Sequence, residues 1–121
     1  MLTSAYDQEL RPAGLQATQF ALLAILEGHA GASQDQLANW LATEQSTLSR
    51  NLQGLVRKRW VSTVTEPGVR AARYEVTPAG RTALNRARPG WKRAQARVKR
   101  ALGADWDSLW PLLRKLALLR P

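Results

Sequence analysis

A chain of 121 residues that is 45% hydrophobic is one domain's worth of sequence, too apolar for a disordered tail. With no cysteine and one histidine, His29, it excludes disulfide frames, thiolate metal sites, cysteine redox sensing and histidine-based triads. Its net charge of +9 is unevenly divided: residues 1–49 hold one basic residue, Arg11, and five acids, whereas residues 50–121 hold 17 basic residues and four acids. That asymmetry points to an acidic partner surface, nucleic acid first and anionic membrane second. No apolar run reaches the ~18–20 residues of a membrane helix. MLTSAYDQEL has neither the basic nor the apolar stretch of a secretion signal, so a cytoplasmic location is expected, without cofactor or metal.

In chain order, residues 2–10 are expected as a short helix with Leu2, Tyr6 and Leu10 on one stripe, ended by Pro12. Residues 18–28 follow, with Thr18 as candidate N-cap and Phe20, Leu22, Leu23, Ile25 and Leu26 marking a core helix. His29, at its end, reads as an ordinary polar residue. Residues 33–42 open on Ser33-Gln34-Asp35-Gln36, a capping box in which Ser33 and Gln36 satisfy each other's backbone N–H groups.

The next helix is expected from Glu44 to Lys58. Leu48, Leu52, Leu55 and Val56 form its buried stripe, and at about 100° per residue Ser46, Ser49, Arg50, Gln53 and Arg57 fall opposite. Two short helices joined by a tight turn, the second with a polar, Arg-bearing face, form a helix-turn-helix pattern; a solvated bundle face would look the same. The period then changes. Residues 60–64 and 72–76 read as two strands around the turn Glu66-Pro67-Gly68, a hairpin carrying Arg70 and Arg73. A hairpin in that place is the wing of a winged helix, with arginines able to reach a phosphate backbone or minor groove.

Residues 78–102 are a long helix, capped by Thr77, started by Pro78 and closed by Gly103. Leu84, Ala87, Trp91, Ala94, Val98 and Ala101 form a heptad stripe, which suggests packing against another long helix, and Pro89 is expected to bend it. Its flanking Arg86, Arg88, Lys92, Arg93, Arg97, Lys99 and Arg100 read first as a solvated face and second as phosphate contacts. A last, Leu-rich helix is expected over 105–119. The apolar surface of the terminal helices exceeds what a monomer of this size covers, which implies a homodimer. The fold class is therefore mainly α with a small β-hairpin wing: a winged helix-turn-helix with terminal dimerisation helices.

In this order the chain resembles the MarR family of transcriptional regulators. The matching strings are Tyr6-Asp7 with Leu10, Pro12-Ala13-Gly14-Leu15, Gln19-Phe20-Ala21-Leu22-Leu23, Gln45-Ser46-Thr47-Leu48-Ser49-Arg50-Asn51-Leu52 and Val76-Thr77-Pro78-Ala79-Gly80-Arg81. The resemblance implies one domain over 1–121, with a DNA-binding lobe at 17–80 and dimerisation helices at 1–16 and 81–121. It implies a homodimer binding a pseudo-palindromic operator in double-stranded DNA, usually as a repressor. It places Gln45, Ser46, Thr47, Ser49 and Arg50 at the contact positions, beside Gln53, Arg57, Arg70 and Arg73 from the projection and the wing. Two departures stand out. Gly68 occupies the position where the family's wing commonly carries an aspartate, leaving Glu66 as the candidate to brace Arg70, and Arg59 stands where a glycine is usual before the first wing strand.

Many family members bind small aromatic acids, so a small-molecule effector is a candidate partner, with Tyr6, Phe20, Trp40 and Trp91 either lining its pocket or filling the core. The alternative function is a winged-helix module for protein–protein or RNA contact without operator specificity. An enzyme is not expected: the acids are scattered and no Gly-rich phosphate loop is present. A membrane surface fits poorly, because the basic helix buries its apolar stripe.

Overall fold

The computed structural model describes residues 2–105 and 107–108. Helix α1 (Leu2–Leu10) passes through a 3₁₀ turn at Arg11–Ala13 into α2 (Ala17–Gly28). Strand β1 (Ala32–Ser33), α3 (Gln34–Leu41) and α4 (Gln45–Arg57) follow, then β2 (Val61–Val64), β3 (Arg73–Val76) and α5 (Pro78–Leu102). Element boundaries match the periodicity to within about two residues. Most of the helix expected over 105–119 lies outside the described residues.

Capping chemistry explains several boundaries. Ser33 accepts from the Gln36 N–H (3.2 Å) and the Gln36 side chain accepts from the Ser33 N–H (3.0 Å), the reciprocal pair legible in the sequence. At α5, Thr77 Oγ1 accepts from the Gly80 N–H at 3.0 Å and Pro78 takes the first turn. Helix α2 starts differently from the expectation. Thr18 lies inside it; the side chain of Gln19 accepts from the Gln16 N–H (3.1 Å), and Asp7 of α1 accepts from the Ala17 N–H (2.7 Å). A carboxylate from another helix thus satisfies an orphan donor at the positive end of the α2 dipole.

The core joins Leu10, Leu15, Phe20, Leu22, Leu23, Leu26, Leu37, Leu48, Leu52, Leu55 and Leu84, all buried. Each fully buried leucine contributes about 1.5–3 kcal/mol relative to exposure. The α5 stripe is buried at Leu84, Ala87, Ala94 and Val98, half-buried at Trp91 and exposed at Ala101. Among the described residues α5 packs on α1 and α2. Close approach is possible because Gly90 has no side chain: a Cβ there would lie 2.5 Å from the Glu9 carbonyl oxygen.

The sheet has three antiparallel strands in the order β1-β3-β2. The expected hairpin is present, with Val61 opposite Val76 and Val64 opposite Arg73. The two-residue β1 adds a third strand, pairing Ala32 with Tyr74 and Ser33 with Arg73. Two residues are too few for an alternating pattern, so periodicity could not reveal it. Its effect is to tie the start of α3 to the wing.

Candidate nucleic-acid interface

Helix α4 is held by one face. Leu48, Leu52 and Leu55 are buried, whereas Gln45, Ser46, Arg50, Gln53 and Arg57 are exposed and Thr47 and Ser49 are partly so. The turn before it places Ala42 at φ +54°, a left-handed conformation that brings the Thr43 N–H back to the Ala38 carbonyl (3.3 Å) and ends α3. Along the exposed face Arg50 donates to Thr47 Oγ1 (3.4 Å) and Gln53 to Ser49 Oγ (3.5 Å). These are weak contacts that a ligand could replace. Gln45 differs. Its Nε2 donates to Asp35 Oδ1 (3.0 Å) and its Oε1 accepts from Gln34 Nε2 (3.0 Å).

A groove of roughly 390 Å³ runs between this face and the sheet, lined by Gln34, Ser49, Gln53, Arg57, Thr63 and Tyr74 among others. Arg73, on the central strand next to Tyr74, donates to the Gly31 carbonyl at 3.4 Å. Arg70 is exposed in the connection beyond it. In that connection the Val69 N–H meets the Glu66 carbonyl (3.1 Å), with Pro67 second and Gly68 third at φ +82°. This is the residue pattern of a type II turn, which needs positive φ at its third position. It explains Gly68 where an aspartate was expected. Glu66 forms no ion pair with Arg70, so the suggested brace is not made.

The ion pairs among the described residues lie elsewhere. Glu27 pairs with Arg88 (2.6 Å) and Arg81 (3.8 Å), and Glu9 with Arg93 (2.8 Å) and Arg97 (3.5 Å). Two acids of the N-terminal half therefore pair with four of the six arginines of α5. No ion pair among the described residues involves Arg50, Arg57, Arg70 or Arg73. The arginines of α4 and the wing are thus available to an anionic partner, as are Arg86, Lys92, Lys99 and Arg100 of α5, which also make no ion pair among the described residues.

The end of α4 and the start of α5 are joined across the base of the wing. Thr77 Oγ1 donates to the Arg59 carbonyl (2.7 Å), and the Thr77 N–H donates to the Trp60 carbonyl (3.0 Å). Arg59 itself adopts φ +63°, the conformation for which glycine is the usual residue. Lys58 donates to the Gly14 carbonyl (2.8 Å) and lies over the Trp60 ring, 4.7 Å from its centroid.

The aromatic residues divide. Trp91 lies 4.5 Å from Phe20, nearly parallel, and 4.3 Å from Tyr6. Trp40 is 48% exposed and packs on His29, outside this cluster. It therefore shares no pocket with the other three. Beside Trp91 a cavity of roughly 350 Å³ is lined by Phe20, Ala21, Ala24, Ile25, Arg88 and Lys92.

Comparison with known proteins fits this geometry. The MarR family model matches residues 13–72. The structure is similar to the transcriptional regulator MosR of M. tuberculosis, with 34% identity, a TM-score of 0.84, and coverage of 97% of this chain and 84% of that one. Against MosR in complex with DNA the identity is 36%, the coverage 97% and 85%, and the TM-score 0.84. The chain belongs to the MarR family. This MarR protein is accordingly a DNA-binding transcriptional regulator and not an enzyme. Bordetella bronchiseptica BpsR, whose DNA binding is regulated by 6-hydroxynicotinic acid, shares the fold at 21% identity, TM-score 0.85, over 96% of this chain and 84% of that one. A search of curated protein sequences gave no match. Among the described residues no helix is long and apolar enough to cross a membrane.

Sequence reading had singled out nine interface residues, and the structure places all of them on α4, on β3 or in the wing connection. It had not singled out Gln34 and Asp35. Their contacts to Gln45 span ten and eleven positions and join the first turns of two different helices, which no local pattern encodes.

Proposed function

We propose that this MarR protein acts in the cytoplasm as a repressor that binds a pseudo-palindromic operator as a homodimer. In this reading residues 17–80 form the DNA-binding lobe, and residues 1–16 and 81–121 supply the dimerisation helices. Helix α4 enters the major groove with Gln45, Ser46, Thr47, Ser49, Arg50 and Gln53. Arg57, Arg70 and Arg73 engage the backbone or the adjacent minor groove. The observation that carries the reading is the outward face of α4: Gln45, Ser46, Arg50, Gln53 and Arg57 are exposed opposite the buried leucines, and Arg50, Arg57, Arg70 and Arg73 make no ion pair among the described residues. Backbone affinity then comes from counterion release and selectivity from the few side chains at base edges.

A small aromatic acid is the proposed effector. The cavity beside Trp91 supports it, with an apolar wall from Phe20, Ala24 and Ile25 and cations from Arg88 and Lys92. The regulation of BpsR by an aromatic acid is a parallel in the same fold.

Selection of bound sites from random duplex DNA tests the central proposal. The expected result is two related half-sites about 10 bp apart, centre to centre. A single asymmetric half-site would overturn the dimeric reading. Binding of duplex DNA with little salt dependence would favour a protein partner instead.

A further inference from the structure

We propose that Asp35, in the first turn of α3, is a positioning residue for base readout: through Gln45 it selects adenine at one position in each half-site. The inference rests on α4 being the DNA-reading element and concerns how one of its side chains is set. Gln34 and Gln45 carry amides whose two ends have nearly the same shape, so either can turn over without steric cost. A carboxylate has no such freedom, because it only accepts. With Asp35 Oδ1 at 3.0 Å, Gln45 presents Nε2 to it; its Oε1 then faces Gln34, which presents its own Nε2 at 3.0 Å. One acceptor-only group therefore fixes the direction of the chain Gln34–Gln45–Asp35.

The remaining hydrogen-bonding capacity of Gln45 follows. Nε2 has given one of its two N–H groups, and Oε1 has used one of its two lone pairs. What is left is one N–H and one lone pair; presented together on the outward edge of the amide, they complement adenine N7 and N6–H in the major groove. Turned over, the same amide would present that pair in the opposite order. Asp35 thus decides the orientation of the adenine-reading edge without touching DNA. Two further features fit this role. Asp35 has no ion pair among the described residues, so its charge strengthens the hydrogen bond to Gln45. Strand β1 fixes the start of α3 against the sheet, which holds Gln34 and Asp35 in place relative to α4.

The test is site selection from random duplex DNA by the full chain and by Asp35→Asn, Asp35→Glu and Gln45→Ala, with thermal unfolding to confirm that each variant is folded. The full chain is expected to enrich adenine at one position per half-site, and Gln45→Ala to lose that preference alone. Asp35→Asn, whose amide can donate as well as accept, should weaken the same preference by roughly tenfold and leave the other positions unchanged. Asp35→Glu, still acceptor-only, should retain most of it. The proposal is overturned if Asp35→Asn keeps the full adenine preference, if it lowers all positions alike, or if Gln45→Ala alters none. Failure of the full chain to enrich any sequence would instead remove the DNA-reading role of α4, and the proposal with it.

Discussion

A Cβ added to Gly80 would lie 2.0 Å from the carbonyl oxygen of Trp60. The first turn of α5 is therefore seated directly on the backbone entering the wing, and the Thr77 contacts to Arg59 and Trp60 lock it there. Because the obstacle is backbone, a side chain cannot swing away. Gly80→Ala should destabilise the protein by about 3 kcal/mol, at the upper end of overpacking costs. Urea denaturation measures this directly. A loss under about 1 kcal/mol would show that α5 can lift off without disturbing the wing.

Arg59 carries the opposite lesson. At φ +63° a residue with a Cβ is strained by about 1–2 kcal/mol, partly offset by the lower entropy of its unfolded chain compared with glycine. Arg59→Gly should raise stability by about 0.5–1 kcal/mol. DNA affinity should be unchanged if Arg59 serves only the turn, and a titration at fixed salt would reveal any phosphate contact it makes.

Glu9 links α1 to α5. The hydrogen bond from Arg93 chiefly, with the charges of Arg93 and Arg97, holds its carboxyl below the ordinary value of 4.5, against an opposing push from burial. A depressed folded value means that this stabilisation is present above the unfolded value and lost as pH falls through the folded one. Glu9→Gln should therefore lower stability at neutral pH and make little difference in strong acid. Unfolding midpoints at both conditions check this; an equal loss at both would mean that packing, not charge, is responsible.

Arg50 is the strongest single candidate for sequence readout. Its only side-chain contact among the described residues is the long one to Thr47. Arg50→Ala should weaken binding to the selected site by about 1–3 kcal/mol and relax preference at one position. Arg57→Ala should instead weaken binding to all sequences and reduce the salt slope by about 1. Fluorescence titrations against cognate and scrambled duplexes distinguish the two, and exchanged behaviours would exchange the assignments.

Local chemistry was the legible part of this protein. Ser33-Gln34-Asp35-Gln36 and Thr77-Pro78 marked helix starts because a cap and its partner lie within three residues of each other. The buried stripe of α4 was equally open to reading, since its period decides which residues face outward. What escaped were relations across the chain. Asp7 caps α2 from another helix, β1 is defined only by its pairing with β3, and four of the α5 arginines pair with Glu9 and Glu27, 54 to 88 positions away. The heptad stripe marked Leu84, Ala87, Ala94 and Val98 as buried but did not show that α1 and α2 cover them, because periodicity shows that a face is covered and not by what.

Helix α5 has a mechanical consequence. From its seat on the wing at Thr77 to the ion pair at Arg97 it spans some 20 residues, roughly 30 Å of rod. Pivoting about the Glu9 clamp, a tilt of about 6° would carry the wing end through about 3 Å, close to the ~3.4 Å rise between successive base pairs. The cavity beside Trp91 lies along this lever, near its fulcrum. On the proposed reading, a molecule the size of one aromatic ring wedged there would need to move the helix only a fraction of an ångström for the wing to lose step with the groove.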